Sequence, residues 1–205
     1  MKLYYARDSI ARVILIALEE IGAPYEARRV DFSRAEQRGA GYLAVNPKGR
    51  VPALVTERGT LTETPAILTY LAQIYPEAGL LPRDAFAAAQ VQEIAAYLCS
   101  TVHPSHAHRT RGARWSDDPS VIEGLKKKVK QNITDHFAYL ESRFAGPWVL
   151  GEAYSIADPY LFVLAGWIVE DGVDLAQFPG LARHSAAMAT RPAVQRALAV
   201  EDREE

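Results

Sequence analysis

The start of the chain constrains its fold most strongly, because residues 3–31 change periodicity twice. Residues 3–5 form a strand-like apolar segment. Apolar residues then recur with helical spacing up to Gly22, a suitable left-handed residue after a helix. Residues 25–31 again have strand character. A strand, a helix and a strand within this length predict a βαβ unit with two parallel strands.

The next segment continues the alternation of strands and helices. Residues 33–44 are polar and predict a loose helix. Residues 51–56 and 60–62 flank a Glu57-Arg58-Gly59 turn and predict a hairpin, and residues 66–74 carry a helical apolar stripe. The predicted order is β-α-β-α-β-β-α, which is the order of the thioredoxin fold.

The pattern changes after residues 79–84, which contain Pro82 and predict a linker. Beyond the linker every periodic segment is helical, including a long one at residues 122–140. We therefore expect a thioredoxin-like domain (βαβαββα) at residues 1–77. An all-helical domain is expected at residues 84–205, so the fold class is α/β plus all-α.

Composition excludes several classes of protein. The net charge of -2 over 205 residues gives no electrostatic footprint for nucleic acid. No apolar run is long enough to span a bilayer, and we expect no signal peptide ahead of the first strand. The single cysteine, Cys99, excludes an internal disulfide, a CxxC redox pair and a cysteine zinc site. We expect a cytoplasmic protein without a metal.

Val51-Pro52 opens the predicted hairpin, and a proline lacks the N–H that a strand ladder needs. If the Val51-Pro52 bond is cis, Val51 presents its backbone N–H and C=O to a ligand, and an extended peptide can pair with them. The simpler interpretation is a trans proline at the start of a strand. The dipeptide alone favours that simpler interpretation.

Glu63-Thr64 lies between the second hairpin strand and the helix that starts near Pro65. Thr64 is the expected N-cap, beside free N–H groups that favour an anion. Thr64 then suits a ligand carboxylate and Glu63 suits a ligand ammonium, the two charges of an α-amino acid. Alternatively, Thr64 only caps the helix and Glu63 is solvated.

Together these two motifs resemble the cytosolic glutathione transferases, and residues 61–71 and 151–158 follow the pattern of that family. The resemblance implies glutathione as co-substrate. It implies that the backbone of Val51, before a cis Pro52, pairs with the cysteinyl part of glutathione. It also implies that Glu63 and Thr64 hold the γ-glutamyl end, with Arg50 in the same binding segment. A homodimeric, cytoplasmic detoxification enzyme is expected.

The chain is most similar to the bacterial beta-type enzymes but has Ile10 where that type has a cysteine. Mixed-disulfide chemistry at that position is therefore excluded, and another group must stabilise the thiolate, which is the nucleophile. Ser9, near the start of the first helix, and Tyr5, at the end of the first strand, are the candidate catalytic residues. The simpler roles are a helix cap for Ser9 and a core aromatic for Tyr5. Arg12 either adds positive potential or pairs with an acidic residue.

The segment from His103 to Trp115 is rich in histidine and arginine. His103 aligns with the histidine that beta-type enzymes place beside glutathione, whereas the following lysine of that type is replaced by Pro104. Pro104 should kink the helix unless it lies in the first turn. His106 and Trp115 are assigned to the second-substrate pocket. A solvated basic loop is the alternative, and metal ligation lacks carboxylates or cysteines at ligand spacing.

The expected reaction is conjugation of the glutathione thiolate to a small hydrophobic electrophile. A glutathione-dependent isomerase, dehalogenase, ether-cleaving enzyme or peroxidase would share the same first domain. A third alternative is a non-catalytic, transferase-like protein that binds ligands or contacts a partner. A buried structural role is expected for Cys99, and a reciprocal cap is expected between Ser155 and Asp158.

Overall fold

A computed structural model of the chain describes residues 1–203. The chain divides into two compact units. One unit combines residues 1–82 with the residues from 189 onward, and the other comprises residues 83–188. The expected order of elements in the first domain and the α/β plus all-α class are confirmed.

The first unit contains a mixed sheet of four short strands in the order β2-β1-β3-β4. The strands are β1 (Lys2–Tyr5), β2 (Glu26–Arg29), β3 (Ala53–Thr56) and β4 (Gly59–Thr62). β1 pairs in parallel with β2, and β3 is antiparallel to both β1 and β4. In this register Tyr4 lies beside Ala53, and Ala53 lies beside Thr62. The carboxyl ends of β1 and β4 therefore meet the amino end of β3 at one edge of the sheet.

The described residues contain nine α-helices. Their bounds are α1 (Arg12–Ile21), α2 (Ala40–Leu43), α3 (Thr64–Ile74), α4 (Ala85–Tyr97), α5 (His103–Arg111), α6 (Pro119–Arg143), α7 (Ala157–Ala165), α8 (Pro179–Thr190) and α9 (Pro192–Glu201). α1 ends at Gly22, whose φ of 70° is left-handed and whose N–H donates to the carbonyl of Leu18. The uninterrupted apolar stretch Val13–Leu18 is buried on all sides.

Pro104 is accommodated by a local change of helix type. A π-helical turn, Leu98–Val102, joins α4 to α5, and Pro104 is the second residue of α5. The proline lacks the N–H that an ordinary α-helical bond would need at this position. Pro104 therefore lies in the first turn of α5, and the wider π turn before it carries the chain into that turn.

The reciprocal cap expected at the start of α7 is confirmed. The backbone N–H of Ser155 donates to Asp158 Oδ2 at 2.7 Å, and the N–H of Ala157 lies 3.3 Å from Ser155 Oγ. The fully buried Asp158 carboxylate also accepts from the N–H of Val149 and lies 3.1 Å from His184 Nε2. These hydrogen bonds connect the start of α7 to Val149 and to His184 of α8 inside the helical unit.

The domain boundary differs from the sequence prediction of residues 1–77 and 84–205. The second unit ends at Met188, and α9 belongs to the first unit. The reason is the apolar face of α9, on which Val194, Ala197 and Val200 are buried and which packs on α1. Helical periodicity identifies such a face but not the helix that it covers.

None of the helices described in residues 1–203 is long and apolar enough to cross a membrane. The same residues contain no group of three or more histidine, cysteine, aspartate or glutamate side chains arranged to hold a metal ion.

Candidate active site

The topology of the sheet brings the predicted glutathione-binding residues to one edge. The loop with Ser9 follows β1, Val51-Pro52 precedes β3, and Glu63-Thr64 follows β4. Since Tyr4, Ala53 and Thr62 form a row across the sheet, the three segments all begin within a few residues of that row. Residues far apart in the sequence therefore share one edge of the first unit.

The Val51-Pro52 peptide bond is cis. No residue in the described part of the chain makes a hydrogen bond to the backbone N–H or C=O of Val51. The preceding carbonyl, that of Arg50, is held firmly, because it accepts from Tyr42 Oη and from Asn46 Nδ2, each at 2.6 Å. The side chain of Arg50 is exposed. Val51 thus presents an open donor and acceptor on a fixed stretch of backbone.

Tyr42 and Asn46 are site-supporting residues that sequence reasoning missed. Asn46 is 1% exposed, and its Oδ1 accepts from the N–H of Lys48 at 3.1 Å. The Asn46-Pro47-Lys48-Gly49 cluster signals a turn, but the motif does not reveal which backbone group the amide holds. Gly49 has a φ of 60°, and a Cβ there would lie 3.0 Å from the carbonyl oxygen of Gln37. The turn therefore requires glycine.

Glu63 and Thr64 lie at the amino end of α3, as expected, with one correction. The helix begins at Thr64 itself, so Glu63 is the N-cap and Thr64 is the first helical residue. Thr64 is 5% exposed. The N-cap Glu63 has a φ of 70° and a ψ of 121°, a conformation that non-glycine residues rarely adopt. Backbone strain of this kind recurs at functional sites.

Lys48 is a neighbour of Glu63 that the sequence did not predict. Its Nζ forms an ion pair with Glu63 Oε1 and donates to Thr62 Oγ1 at 2.6 Å. Both charged side chains are about half exposed, at 46% and 60%. Only one of the two carboxylate oxygens of Glu63 takes this contact, so the other is open to a second cation.

Ser9 precedes α1 and is half-buried. Its hydroxyl donates to the carbonyl of Ala6 at 2.6 Å, and its Oγ lies 3.3 Å from the N–H of Ala11. The N-cap of α1 is Ala11, so Ser9 is not the helix cap that the simpler interpretation expects, although its oxygen accepts from the N–H of Ala11 in the turn before the helix. The hydroxyl proton points to Ala6, so donation to a sulfur requires this O–H to turn.

Tyr5 and Arg12 both contact α9. Tyr5 is 2% exposed, and its hydroxyl donates to the carbonyl of Val200 at 3.2 Å. This position fits the core-aromatic role. Arg12 pairs with an acidic residue, Glu201, and with Asp8, so the second of its two expected roles is observed.

In the helical unit, His103 and His106 lie against Trp167. The ring centroid of His103 lies 5.6 Å from that of Trp167, and the ring centroid of His106 lies 4.6 Å from it. The His106 ring is stacked on the indole. His106 Nδ1 lies 2.7 Å from the Asp171 carboxylate, which is 2% exposed. Nε2 of His106 has no hydrogen-bond partner among residues 1–203. A carboxylate at Nδ1 fixes the ring and leaves Nε2 for a ligand.

The other residues predicted in this segment take separate places. Trp115 is 48% exposed and packs edge-on against His108. Burial lowers the pKa of His108. Cys99 is a free, partly exposed thiol in the π-helical turn rather than a fully buried one. His136 bridges Tyr97 Oη at 2.9 Å and Ser105 Oγ at 3.0 Å, and burial lowers its pKa.

The first unit is a thioredoxin-like domain with a cis-proline before β3, and the second unit is helical. Residues 1–73 match the family model for the glutathione S-transferase N-terminal domain. Glutathione S-transferase GstA of Escherichia coli O157:H7 is 32% identical over 205 residues, covering 98% of each chain. The chain therefore belongs to the glutathione S-transferase family, and it is an enzyme that uses glutathione as co-substrate.

Two further relatives extend this comparison. A crystal structure of a glutathione transferase homologue from Sulfitobacter, with bound glutathione, has a TM-score of 0.94 at 44% identity and covers 97% of each chain. Maleylacetoacetate isomerase of Pseudomonas aeruginosa is 31% identical over 204 residues, which are 96% of this chain and 95% of that enzyme. The relatives thus include enzymes named for transfer and for isomerisation.

Proposed function

We propose that the enzyme conjugates the glutathione thiolate to small hydrophobic electrophiles. The observation that carries the proposal is the open backbone N–H and C=O of Val51, next to Pro52 and at the same sheet edge as Thr64 and Ser9. An extended peptide pairs with such a backbone as an added strand. Glutathione offers a peptide of this kind with a thiol in its middle residue.

In the proposed complex, Glu63 and Thr64 at the amino end of α3 hold the γ-glutamyl end of glutathione. Thr64 and the amino end of α3 take the α-carboxylate, because helix amino ends favour anions. Glu63 takes the α-ammonium through the oxygen that Lys48 does not occupy. Arg50 lies in the same segment and contributes positive charge near the peptide.

Ser9 is the proposed activator of the thiol. Its O–H turns from the Ala6 carbonyl to the sulfur, while its oxygen stays near the N–H of Ala11. A free thiol has a pKa of about 8.5, and a donor at a helix start lowers that value. Stabilising the thiolate increases the fraction of nucleophile and holds it for attack.

His103, His106 and Trp115 are proposed as contacts of the helical unit with the substrates. The Asp171 carboxylate orients His106, and the indole of Trp167 supports its ring. The open Nε2 can donate to, or accept from, a polar group of the electrophile. Trp115 offers an exposed aromatic face to an apolar group.

A second candidate function is glutathione-dependent cis–trans isomerisation. It is favoured by the 31% identity with maleylacetoacetate isomerase over nearly the whole chain. In this reaction the thiolate adds to a conjugated double bond, rotation occurs about the resulting single bond, and elimination restores the double bond and the thiolate. Glutathione is regenerated, so the same Ser9 site serves both reactions.

The decisive experiment measures glutathione binding by calorimetry, followed by turnover of an aryl halide and of maleylacetoacetate. Glutathione binding with release of halide supports the conjugating enzyme. Turnover of maleylacetoacetate without consumption of glutathione supports the isomerase. Binding without either reaction points to another glutathione-dependent reaction or to a ligand-binding role, and failure to bind glutathione contradicts the proposal. Likeness to the family also supports a cytoplasmic homodimer, for which light scattering gives the oligomeric state.

A further inference from the structure

The end of α9 holds the segment that carries Ser9. Three consecutive residues each contact one residue of that segment. The carbonyl of Val200 accepts from Tyr5 Oη at 3.2 Å, Glu201 binds Arg12, and Asp202 binds Arg7 at 2.9 Å. We call Val200–Asp202 the C-terminal clasp.

The central contact of the clasp is a buried ion pair. Glu201 Oε2 accepts from Arg12 Nε at 2.8 Å and from Arg12 Nη2 at 2.5 Å. The side chain of Glu201 is 2% exposed and that of Arg12 is 18% exposed. Because both side chains are largely shielded from solvent, the attraction between their charges is little screened. This attraction holds the Arg12 side chain in place.

Arg12 transmits this contact to the loop before α1. Its Nη2 also binds Asp8 Oδ1 at 2.6 Å, and its backbone N–H donates to the carbonyl of Ser9 at 3.1 Å. Asp8 has a φ of 53°, in the left-handed region that aspartate adopts more often than most non-glycine residues, and its contact with Arg12 lies at this turn. Arg12 therefore touches both Ser9 and the residue before it.

Helix stability does not account for Glu201 at this position. Glu201 is the last residue of α9, and a carboxylate there faces the negative end of the helix dipole. Its Oε1 is buried and has no hydrogen-bond partner among residues 1–203. Attachment of α9 to α1 does not require it either, because Arg191 pairs with Glu20 and Arg196 pairs with Glu19.

We propose that Glu201 and Arg12 are positioning residues for the reaction, because together they hold the Ser9 loop in the geometry that lets its hydroxyl reach the glutathione sulfur. This inference rests on the proposed role of Ser9 in thiol activation. In this proposal α9 supports the glutathione site, although it contributes no residue to the predicted peptide contacts at Val51, Glu63 and Thr64.

The test compares Glu201→Gln with Glu20→Gln in the full-length enzyme. Each substitution removes one carboxylate of an ion pair between α1 and the α9 segment, but only Glu201 contacts the Arg12 that holds the Ser9 loop. Titration of the bound thiol, followed by the absorbance of the thiolate, and kcat with an aryl halide are measured for both. Arg12→Lys is the second variant, since lysine keeps the charge but loses the two-pronged contact.

For Glu201→Gln and Arg12→Lys we expect a raised pKa of the bound thiol. We also expect a fall in kcat on the order of 10- to 100-fold, since a small misplacement of a reacting group has effects of that size. Glutathione affinity should change little, and Glu20→Gln should change only thermal stability. An unchanged thiol pKa and kcat in either clasp variant that folds, with normal wild-type binding, overturns this inference alone. A wild-type enzyme that does not bind glutathione contradicts the proposed function instead.

Discussion

Lys48 and Glu63 form an ion pair at the amino end of α3, where Glu63 occupies a left-handed backbone conformation. The carboxylate proposed to receive the ammonium of glutathione is therefore already oriented by one cation. A positive φ at a residue other than glycine costs stability, so this backbone conformation is unfavourable for folding.

Two substitutions of Glu63 should weaken glutathione binding equally but differ in their effect on the stability of the protein. Glu63→Gly and Glu63→Ala both remove the carboxylate, so both should weaken glutathione binding by about 1.5–3 kcal/mol, the usual contribution of a hydrogen bond to a charged group. Glycine tolerates a φ of 70° and alanine does not. We therefore expect Glu63→Gly to be more stable than Glu63→Ala by about 1 kcal/mol. Calorimetric binding and thermal unfolding test both effects, and equal stabilities would show that the backbone at Glu63 is unstrained.

Ser9 and Tyr5 can be distinguished by the titration of bound glutathione. Ser9→Ala should raise the pKa of the bound thiol by about one to two units, because a hydrogen bond to a charged group contributes about 1.5–3 kcal/mol. Tyr5→Phe should reduce stability by about 1 kcal/mol through loss of the bond to Val200 and should shift the thiol less. A larger thiol shift in Tyr5→Phe than in Ser9→Ala would reverse the two assignments.

These two cases also show which parts of the site are predictable from the sequence. Val51-Pro52 and Glu63-Thr64 are local motifs, and the strand order brings them together. The contacts of Tyr5 with Val200 and of His106 with Asp171 join residues 195 and 65 positions apart. Such pairs depend on which helix faces pack together, and helical periodicity does not specify that. The left-handed Glu63 has no signature either, because its side chain does not require a positive φ.

His106 and Asp171 are expected to act together on the second substrate. His106→Gln should raise the KM for the electrophile roughly fivefold, the equivalent of about 1 kcal/mol, without changing glutathione affinity. Asp171→Asn should act in the same direction, since it removes the acceptor that orients the ring. Arg109→Gln is the comparison variant, because Arg109 Nε also pairs with Asp171 Oδ1 at 3.2 Å and its replacement removes the positive charge while keeping the imidazole. If only Arg109→Gln raises this KM, the positive charge rather than the imidazole binds the electrophile.

The stability of the clasp should depend on pH through Glu201. Burial raises the pKa of Glu201 above its ordinary value of 4.5, although the bonds from Arg12 act in the opposite direction. The charged groups that face this carboxylate are Arg12 and Asp8, with the Arg7–Asp202 pair beside them. A carboxyl with a raised pKa in the folded state contributes most stability below its ordinary value, and this contribution is lost as the pH rises through the raised pKa.

Relative to Glu201→Gln, the wild-type enzyme should therefore lose stability as the pH rises above about 4.5, by about 1.4 kcal/mol for each unit of the shift. Urea unfolding of both proteins across this pH range measures the difference. A wild-type advantage that grows with pH would mean that the ion pair outweighs the burial of the carboxylate.

The position of α9 also affects how the first unit is made. Residues from 189 onward complete a unit that begins at Met1, and the whole helical unit of residues 83–188 lies between them in the sequence. On the ribosome the thioredoxin-like sheet can form early, but the loop with Ser9 lacks its clasp until the last helix has emerged. Contacts of such long sequence separation slow folding. A nascent chain that stops short of Glu201 should contain the Ser9 loop without its clasp, so the glutathione site can be completed only after residue 201 has been synthesised.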